Sequence, residues 1–194
     1  MTRTFIALEL DESLQDYLGG IIRQMAQELP RLNWVKPTGI HLTLAFLGDL
    51  TDERLAEAIQ IAELAAQEVS PFEYHLTHLG MFGSWDRPRV VWMGVAEPSG
   101  KLLQLHRILN RELRQRGFEI DPRPLSPHLT LARIKTSLKS DEQQRLQRLL
   151  AEIRVPTPAS RYFVSQLSVM KSELLRSGAK YTCLQNCVLK EEHA

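Results

Sequence analysis

The chain of 194 residues has few of the features that mark a secreted, membrane-bound or highly charged protein. It contains only two cysteines, Cys183 and Cys187, which are too few for a disulfide scaffold and match no zinc or redox motif. Its 24 Lys and Arg nearly balance its 23 Asp and Glu, so no overall field favours a polyanion. No apolar run approaches the ~18 residues of a membrane span, and no signal peptide is visible. We therefore expect a soluble cytoplasmic protein with reduced cysteines.

An internal repeat organises this chain. The residues His41-Leu42-Thr43-Leu44-Ala45 recur in identical order as 128–132. Each copy follows an apolar run and an amphipathic helical pattern, and each is followed by a second helix and a further strand. The repeat therefore predicts two similar units, about 1–82 and 88–189. Because each unit is small, we expect both to share one core in a single domain, 1–194.

Hydrophobic periodicity indicates the fold class. One helix, for example, is predicted from a Ser99 cap to a Gly117 stop, with a leucine face formed by Leu102, Leu105, Leu109 and Leu113. The strands alternate apolar and polar residues, which favours antiparallel sheets with one open face. The prediction is an α+β, bilobal fold: two pseudo-symmetric antiparallel-sheet lobes with helices on the outside and a central cleft.

The repeated motif places polar groups on the open face. In an extended strand, His41 and Thr43 point to one side while their leucine neighbours point to the other. The second copy does the same with His128 and Thr130. The leucines are expected to pack against the helices. If a pseudo-twofold axis relates the two units, the two polar pairs then face each other across the cleft.

Two imidazoles and two hydroxyls in a cleft suit phosphoryl chemistry. The ordinary histidine pKa of about 6.5 allows one imidazole to act as a base and the other as an acid. The threonine hydroxyls can donate to phosphoryl oxygens. Opening a 2′,3′-cyclic phosphate on ribose needs only a base, an acid and such donors, so no metal and no cofactor are predicted. A lone His-x-Thr is weak evidence, but structural histidines have no reason to recur with the same threonine.

Arg133 stands out by its position in the second motif. Strict alternation would point it into the core with Leu129 and Leu131, where a guanidinium is costly. A β-bulge, a strand end or an anion must therefore accommodate it. Phosphate is the anion that an arginine fits best by geometry, whereas a surface position with only its stem buried is the plain alternative.

Over its whole length the sequence resembles the 2H phosphoesterase superfamily, and within it the RNA 2′,3′-cyclic phosphodiesterases formerly called 2′-5′ RNA ligases. Besides the paired motifs, the resemblance rests on Thr4–Leu10, Trp34-Val35, Leu44–Gly48, Arg89–Trp92 and Ser172–Leu174 with Gly178, Lys180 and Tyr181. It implies hydrolysis of a terminal cyclic phosphate to a 2′-phosphomonoester, with ATP-independent joining of RNA ends as the reverse reaction. It also implies that His41 and His128 are catalytic, and that Thr43, Thr130, Arg133 and Phe46 contact the substrate.

Several questions stay open at this stage. The repeat makes the two histidines equivalent, and His41 as acid with His128 as base is a working hypothesis. The substrate could instead be another phosphodiester, such as a 2′-5′ oligonucleotide, or the protein could bind RNA ends without turnover. The expected partner is RNA or a nucleotide with a cyclic phosphate end, bound by a monomer away from any membrane.

Basic and aromatic residues outside the motifs are weaker signals. RNA could be guided by the stripe of Arg107, Arg111 and Arg114 or by Arg87, Arg89 and Arg123 near turns. Trp34, Trp85 and Tyr181 could stack a base or simply pack. The segment His75–His78 contains a third His-x-Thr, but the corresponding strand of the other unit lacks it, so a structural role is predicted.

Overall fold

A computed structural model describes residues 1–155, 161–175 and 178–191. Its helices in these ranges are α1 (Glu12–Glu28), α2 (Asp52–Ala66), α3 (Lys101–Gln115) and α4 (Ser140–Glu152). Its strands are β1 (Thr2–Glu9), β2 (Asn33–Trp34), β3 (His41–Leu50), β4 (Phe72–Gly83), β5 (Pro88–Ala96), β6 (His128–Arg133), β7 (Tyr162–Val164), β8 (Gln166–Leu175) and β9 (Gly178–Val188). Among the described residues, no helix is long and apolar enough to cross a membrane.

The strands form one curled antiparallel sheet in the order β7-β4-β5-β6-β3-β1-β8-β9, with β2 paired to β6. The predicted α+β class with antiparallel pairing is confirmed. The two sheets expected from the repeat are joined, because β3 and β6 pair at Leu42 and Leu129. A single pair of leucines therefore connects the two lobes at the centre of the sheet.

The two repeat units interlock across this centre. The strand that closes the first unit, β4, pairs with β5 of the second unit. The strand that closes the second unit, β8, pairs with β1 of the first. Each lobe therefore contains strands from both halves of the sequence, which ties the chain into one folded body.

All four helices pack against one face of the sheet. The leucine face predicted for α3 is buried, and it joins the core with Leu8, Leu42, Leu129 and Leu131 from the strands. The opposite face carries a small separate cluster of Phe5, Ala7 and Met170, with Tyr181 against it. Because successive strand residues alternate between faces, this second face forms the open cleft.

The start of α3 differs from the prediction. Gly100, with φ of 81°, is the residue before the helix, and Ser99 does not cap it. The carboxylate of Glu97 accepts hydrogen bonds from Ser99 N at 2.7 Å and Leu102 N at 3.0 Å. An acidic side chain four residues before the first residue of the helix thus accepts a hydrogen bond from a free backbone N–H, a role that Ser at the N-cap was predicted to fill.

Candidate active site

The central leucine pair brings the two motifs together. With Leu42 opposite Leu129 in an antiparallel pair, His41 lies across from Thr130 and Thr43 lies across from His128. Side chains of directly opposed residues are close neighbours, and diagonal neighbours on one face are about 7–8 Å apart. The two imidazoles are such a diagonal pair, on the face that the helices leave open. One small phosphoryl group can therefore contact both.

A β-bulge at the same place in each motif decides where the following side chains point. Along β1, Ile6 pairs with Ala45 and Ala7 pairs with Thr43, so Leu44 is the extra residue in β3. Leu44 and Ala45 are consequently both buried. The bulge reverses the alternation, and Phe46 returns to the cleft face with 46% of its surface exposed.

The second motif repeats this irregularity. Along β5, Val91 pairs with Ala132 and Trp92 pairs with Thr130, which leaves Leu131 unpaired in β6. Leu131 and Ala132 are both fully buried, and Arg133 is exposed. Two of the three accommodations predicted for this arginine occur together, because the bulge at Leu131 precedes it and β6 ends at Arg133. Phe46 and Arg133 therefore occupy equivalent positions beside the two histidines.

His41 lies in an aromatic and largely apolar pocket. Its ring centroid is 4.6 Å from that of Phe5 and 5.0 Å from that of Tyr181, whose ring meets it edge-on. Burial by these groups, together with the nearby positive charges of Arg133 and His128, lowers the pKa of His41 to about 4, although the hydrogen bond to the Gly39 carbonyl acts in the opposite direction. The His41 imidazole is therefore neutral at pH 7.

His128 has its own aromatic neighbours on the other lobe. Its ring centroid is 4.8 Å from Phe82, at an interplanar angle of 90°, and 6.5 Å from Trp92. Trp92 lies directly over Gly80, where a Cβ atom would be 2.3 Å from the indole ring. The absence of a side chain at Gly80 thus lets the indole lie flat on the sheet beside His128.

The same hydrogen bond orients both imidazoles. Nδ1 of His41 lies 2.9 Å from the carbonyl oxygen of Gly39, and Nδ1 of His128 lies 2.7 Å from that of Ser126. A carbonyl can only accept, so Nδ1 carries the proton and donates in both rings. Nε2 is then the nitrogen left free for proton transfer on each side.

The remaining polar surface of the cleft suits an anion. Thr43 is exposed and Thr130 is half-buried, so both hydroxyls can reach a ligand. Arg133 is near enough to His41 to perturb its titration. The guanidinium of Arg3 lies 4.8 Å from the ring centroid of Phe46, a cation–π contact at the edge of the cleft.

Within residues 1–155, 161–175 and 178–191, no three His, Cys, Asp or Glu side chains converge as metal ligands would. His78, which follows the third His-x-Thr directly, has its ring centroid 5.3 Å from that of Trp92, the residue that also contacts His128. That contact agrees with the structural role predicted for the segment His75–His78.

Comparison with known proteins identifies the family. The model of the 2′-5′ RNA ligase superfamily matches residues 16–174, a range that includes both His-x-Thr motifs. The chain belongs to this superfamily. The recognition made from the sequence, and the enclosing 2H phosphoesterase group, are thereby confirmed.

Relatives in the 2′-5′ RNA ligase superfamily match this chain over nearly its full length. It is 31% identical over 183 residues to the RNA 2′,3′-cyclic phosphodiesterase of Methanothermobacter thermautotrophicus, covering 94% of this chain and 96% of the relative. The Escherichia coli enzyme of the same name is 28% identical, with 97% of each chain covered. Escherichia coli LigT in complex with 3′-AMP superposes with a TM-score of 0.73 at 28% identity, covering 98% of this chain and 99% of LigT.

Sequence reasoning missed the aromatic groups around the two histidines of this superfamily member. Phe5 and Trp92 lie in segments on which the family resemblance rests, and Tyr181 is a candidate for base stacking. The sequence did not predict that any of the three packs against an imidazole. Phe82 was not singled out at all. The alternation of side chains along each strand could have revealed them. A large aromatic residue on the same face as the polar residues of a strand is expected to pack against a neighbouring side chain on that face.

Proposed function

We propose that this protein hydrolyses the 2′,3′-cyclic phosphate at the end of an RNA or nucleotide to a 2′-phosphomonoester, without a metal, through paired general acid–base catalysis by His41 and His128. The observation that carries this proposal is the Leu42–Leu129 register, which sets the two imidazoles diagonally on one open face. The full-length relatives bear the name RNA 2′,3′-cyclic phosphodiesterase. The prediction that the chain is an enzyme of this class is thereby confirmed.

The reaction requires groups on opposite sides of phosphorus. A water oxygen attacks phosphorus and gives its proton to one imidazole, while the bond to the ribose 3′-oxygen breaks. The second imidazole donates a proton to that departing oxygen, so the phosphate remains on the 2′-oxygen. In-line displacement needs base and acid on either side of phosphorus, which a diagonal pair of Nε2 atoms supplies.

Thr43, Thr130 and Arg133 stabilise the charge in this scheme. The hydroxyls donate to the nonbridging oxygens, and the guanidinium offsets the negative charge that grows in the transition state. Phe46, on the same face, is placed to contact the ribose or base. If a hydroxyl of a second RNA end attacks phosphorus in place of water while the bond to the ribose 3′-oxygen breaks, the same groups would join the two ends without ATP.

The working hypothesis that gives His41 the acid role requires proton uptake with the substrate. The lowered pKa of His41, which burial and the charges of Arg133 and His128 cause, keeps this ring neutral at pH 7. A bound phosphate anion neutralises those charges and itself favours the imidazolium, by one to three pKa units for a close opposite charge. Substrate binding thus shifts the pKa of His41 back towards its ordinary value and increases the fraction of His41 that is protonated. If His41 is instead the base, kcat/KM stays high down to about pH 4 and falls only below it.

The test is an assay of product and metal dependence. The purified protein is incubated with a 2′,3′-cyclic nucleotide in excess EDTA, and the product is identified by its phosphorus NMR spectrum. The proposal predicts turnover to the 2′-phosphate in EDTA. No turnover, a 3′-phosphate product, or a strict need for a divalent metal would contradict it. Turnover also separates this proposal from an RNA-end binding module.

A further inference from the structure

A second concave site adjoins the proposed active site. At the end of the β5–β6 pair, a cavity of about 440 Å³ is lined by the basic residues Arg87, Arg89, Arg133 and Lys135 and by the turn that follows β6. Its frame is regular backbone, because Val90 pairs with Arg133 and Ile134 N donates to Arg89 O at 2.8 Å. The four cationic side chains therefore surround one defined hollow rather than a loose loop.

In the part of the chain that the structure describes, no carboxylate forms an ion pair with any of the four. Arg123, by contrast, is held by both carboxylate oxygens of Asp121, whose pKa falls to about 2 as a result. A concave site with several unpaired positive charges attracts an anion.

The cavity shares Arg133 with the neighbourhood of His41 but contains none of the four His and Thr residues of the motifs. Arg133 lines the cavity and is also close enough to His41 to affect it. Along β6, Thr130 and Arg133 are separated by roughly 10 Å at about 3.3 Å per residue. An anion held by Arg87, Arg89 and Lys135 is therefore not the phosphate between the imidazoles. It is one that lies further along a bound chain.

We propose that the pocket of Arg87, Arg89 and Lys135 binds an internal phosphodiester of the RNA strand that carries the cyclic end, so that the preferred substrate is an oligoribonucleotide rather than a mononucleotide. This inference rests on the proposed function. The three side chains neutralise the strand phosphate, and Arg133 stands between this site and the reacting phosphorus.

The other basic patches fit this role less well. Arg107, Arg111 and Arg114 lie on the outer face of α3, in the helical layer on the far side of the sheet from the cleft. Arg111 is also paired with Glu112. A strand whose end lies between His41 and His128 would have to pass around the molecule to reach this stripe.

The test compares two substrates in matched variants. The double variant Arg89→Gln/Lys135→Gln removes two charges from the pocket, and Arg107→Gln/Arg114→Gln removes two from the outer stripe. We expect the pocket variant to lose roughly tenfold or more in kcat/KM on a cyclic-ended oligoribonucleotide at low salt. The slope of log kcat/KM against log salt should become shallower by about 0.7, since the pocket holds one phosphate and each phosphate neutralised on a single strand contributes about 0.7. The 2′,3′-cyclic mononucleotide should be hydrolysed at an unchanged rate.

Each outcome separates the two proposals. Equal losses on both substrates, an unchanged salt slope, or the same loss in the stripe variant would overturn the pocket assignment while the proposed function stands. If neither substrate turns over, the proposed function fails. Fluorescence anisotropy of a labelled oligoribonucleotide ending in a 2′-phosphate then tests the pocket without catalysis. Binding weakened only in the pocket variant supports the assignment, and equal binding by both variants and the parent refutes it.

Discussion

His41 should resist protonation in the folded protein over a pH range in which an unfolded histidine is already charged. Its pKa is lowered to about 4 by the aromatic groups that bury it and by the charges of Arg133 and His128. The ordinary value is 6.5. Between these pH values the unfolded chain binds the proton and the folded chain does not, so the free energy of unfolding falls as the pH falls.

The size of this effect follows from the two pKa values. Each pKa unit corresponds to about 1.4 kcal/mol, so the stability lost through His41 between pH 7 and pH 4 is about 3 kcal/mol. Above pH 7 the group has no effect, because both states leave it neutral. The variant His41→Asn removes the titrating ring and should remove this part of the pH dependence of stability. The contributions of all other titratable groups should stay the same in both proteins.

The assay is urea unfolding at several pH values between 7.5 and 4, on the parent and on His41→Asn. The difference between the two free energies should change by about 3 kcal/mol across that range. Titration of the ring proton resonances by NMR measures the same pKa directly. Two curves that run parallel with pH, or a ring that titrates near 6.5, would refute the account of the His41 pocket.

Three further substitutions test the packing of the site. Tyr181→Ala admits water beside His41, so the pKa of His41 should rise from about 4 towards 6.5 in the same NMR titration. An unchanged pKa of His41 would mean that Tyr181 does not exclude water from it. Gly80→Ala puts a Cβ atom 2.3 Å from the Trp92 indole, and such overpacking should cost about 1–3 kcal/mol in thermal unfolding; a Tm equal to that of the parent contradicts the contact. Leu129→Ala leaves a cavity at the junction of the lobes and should cost about 2–5 kcal/mol in urea unfolding; a loss below 1 kcal/mol would show that the junction is not tightly packed.

Much of the candidate site could be predicted because it depends on local rules. Strand alternation places His41 with Thr43, and the repeat requires the same arrangement at His128 and Thr130. The helix faces follow from periodicity for the same reason. The bulge was foreseeable only at Arg133, where a charged residue at a core position conflicts with burial. At Phe46 the identical bulge gave no signal, because a phenylalanine at a core position raises no conflict.

The non-local features could not be derived in the same way. Residue patterns show which face of a strand is buried but not which strand lies beside it, so the exchange of β4 and β8 between lobes was not predictable. The lowered pKa of His41 depends on that exchange, since β8 and β9 bring Met170 and Tyr181 to the first motif. An assignment of acid and base from the repeat alone therefore lacked the information that distinguishes the two rings.

The central claim is that His41 and His128 act together on one phosphorus atom, and a double-variant kinetic cycle tests it most directly. His41→Ala, His128→Ala and the double variant are assayed on a 2′,3′-cyclic-ended oligoribonucleotide in EDTA. Each single change should lower kcat by roughly 10²- to 10⁴-fold, the scale of general acid–base catalysis. Because residues that act as a unit are not additive, the double variant should be about as slow as the slower single one. Losses that multiply, or single variants that keep near-parent rates, would contradict the account.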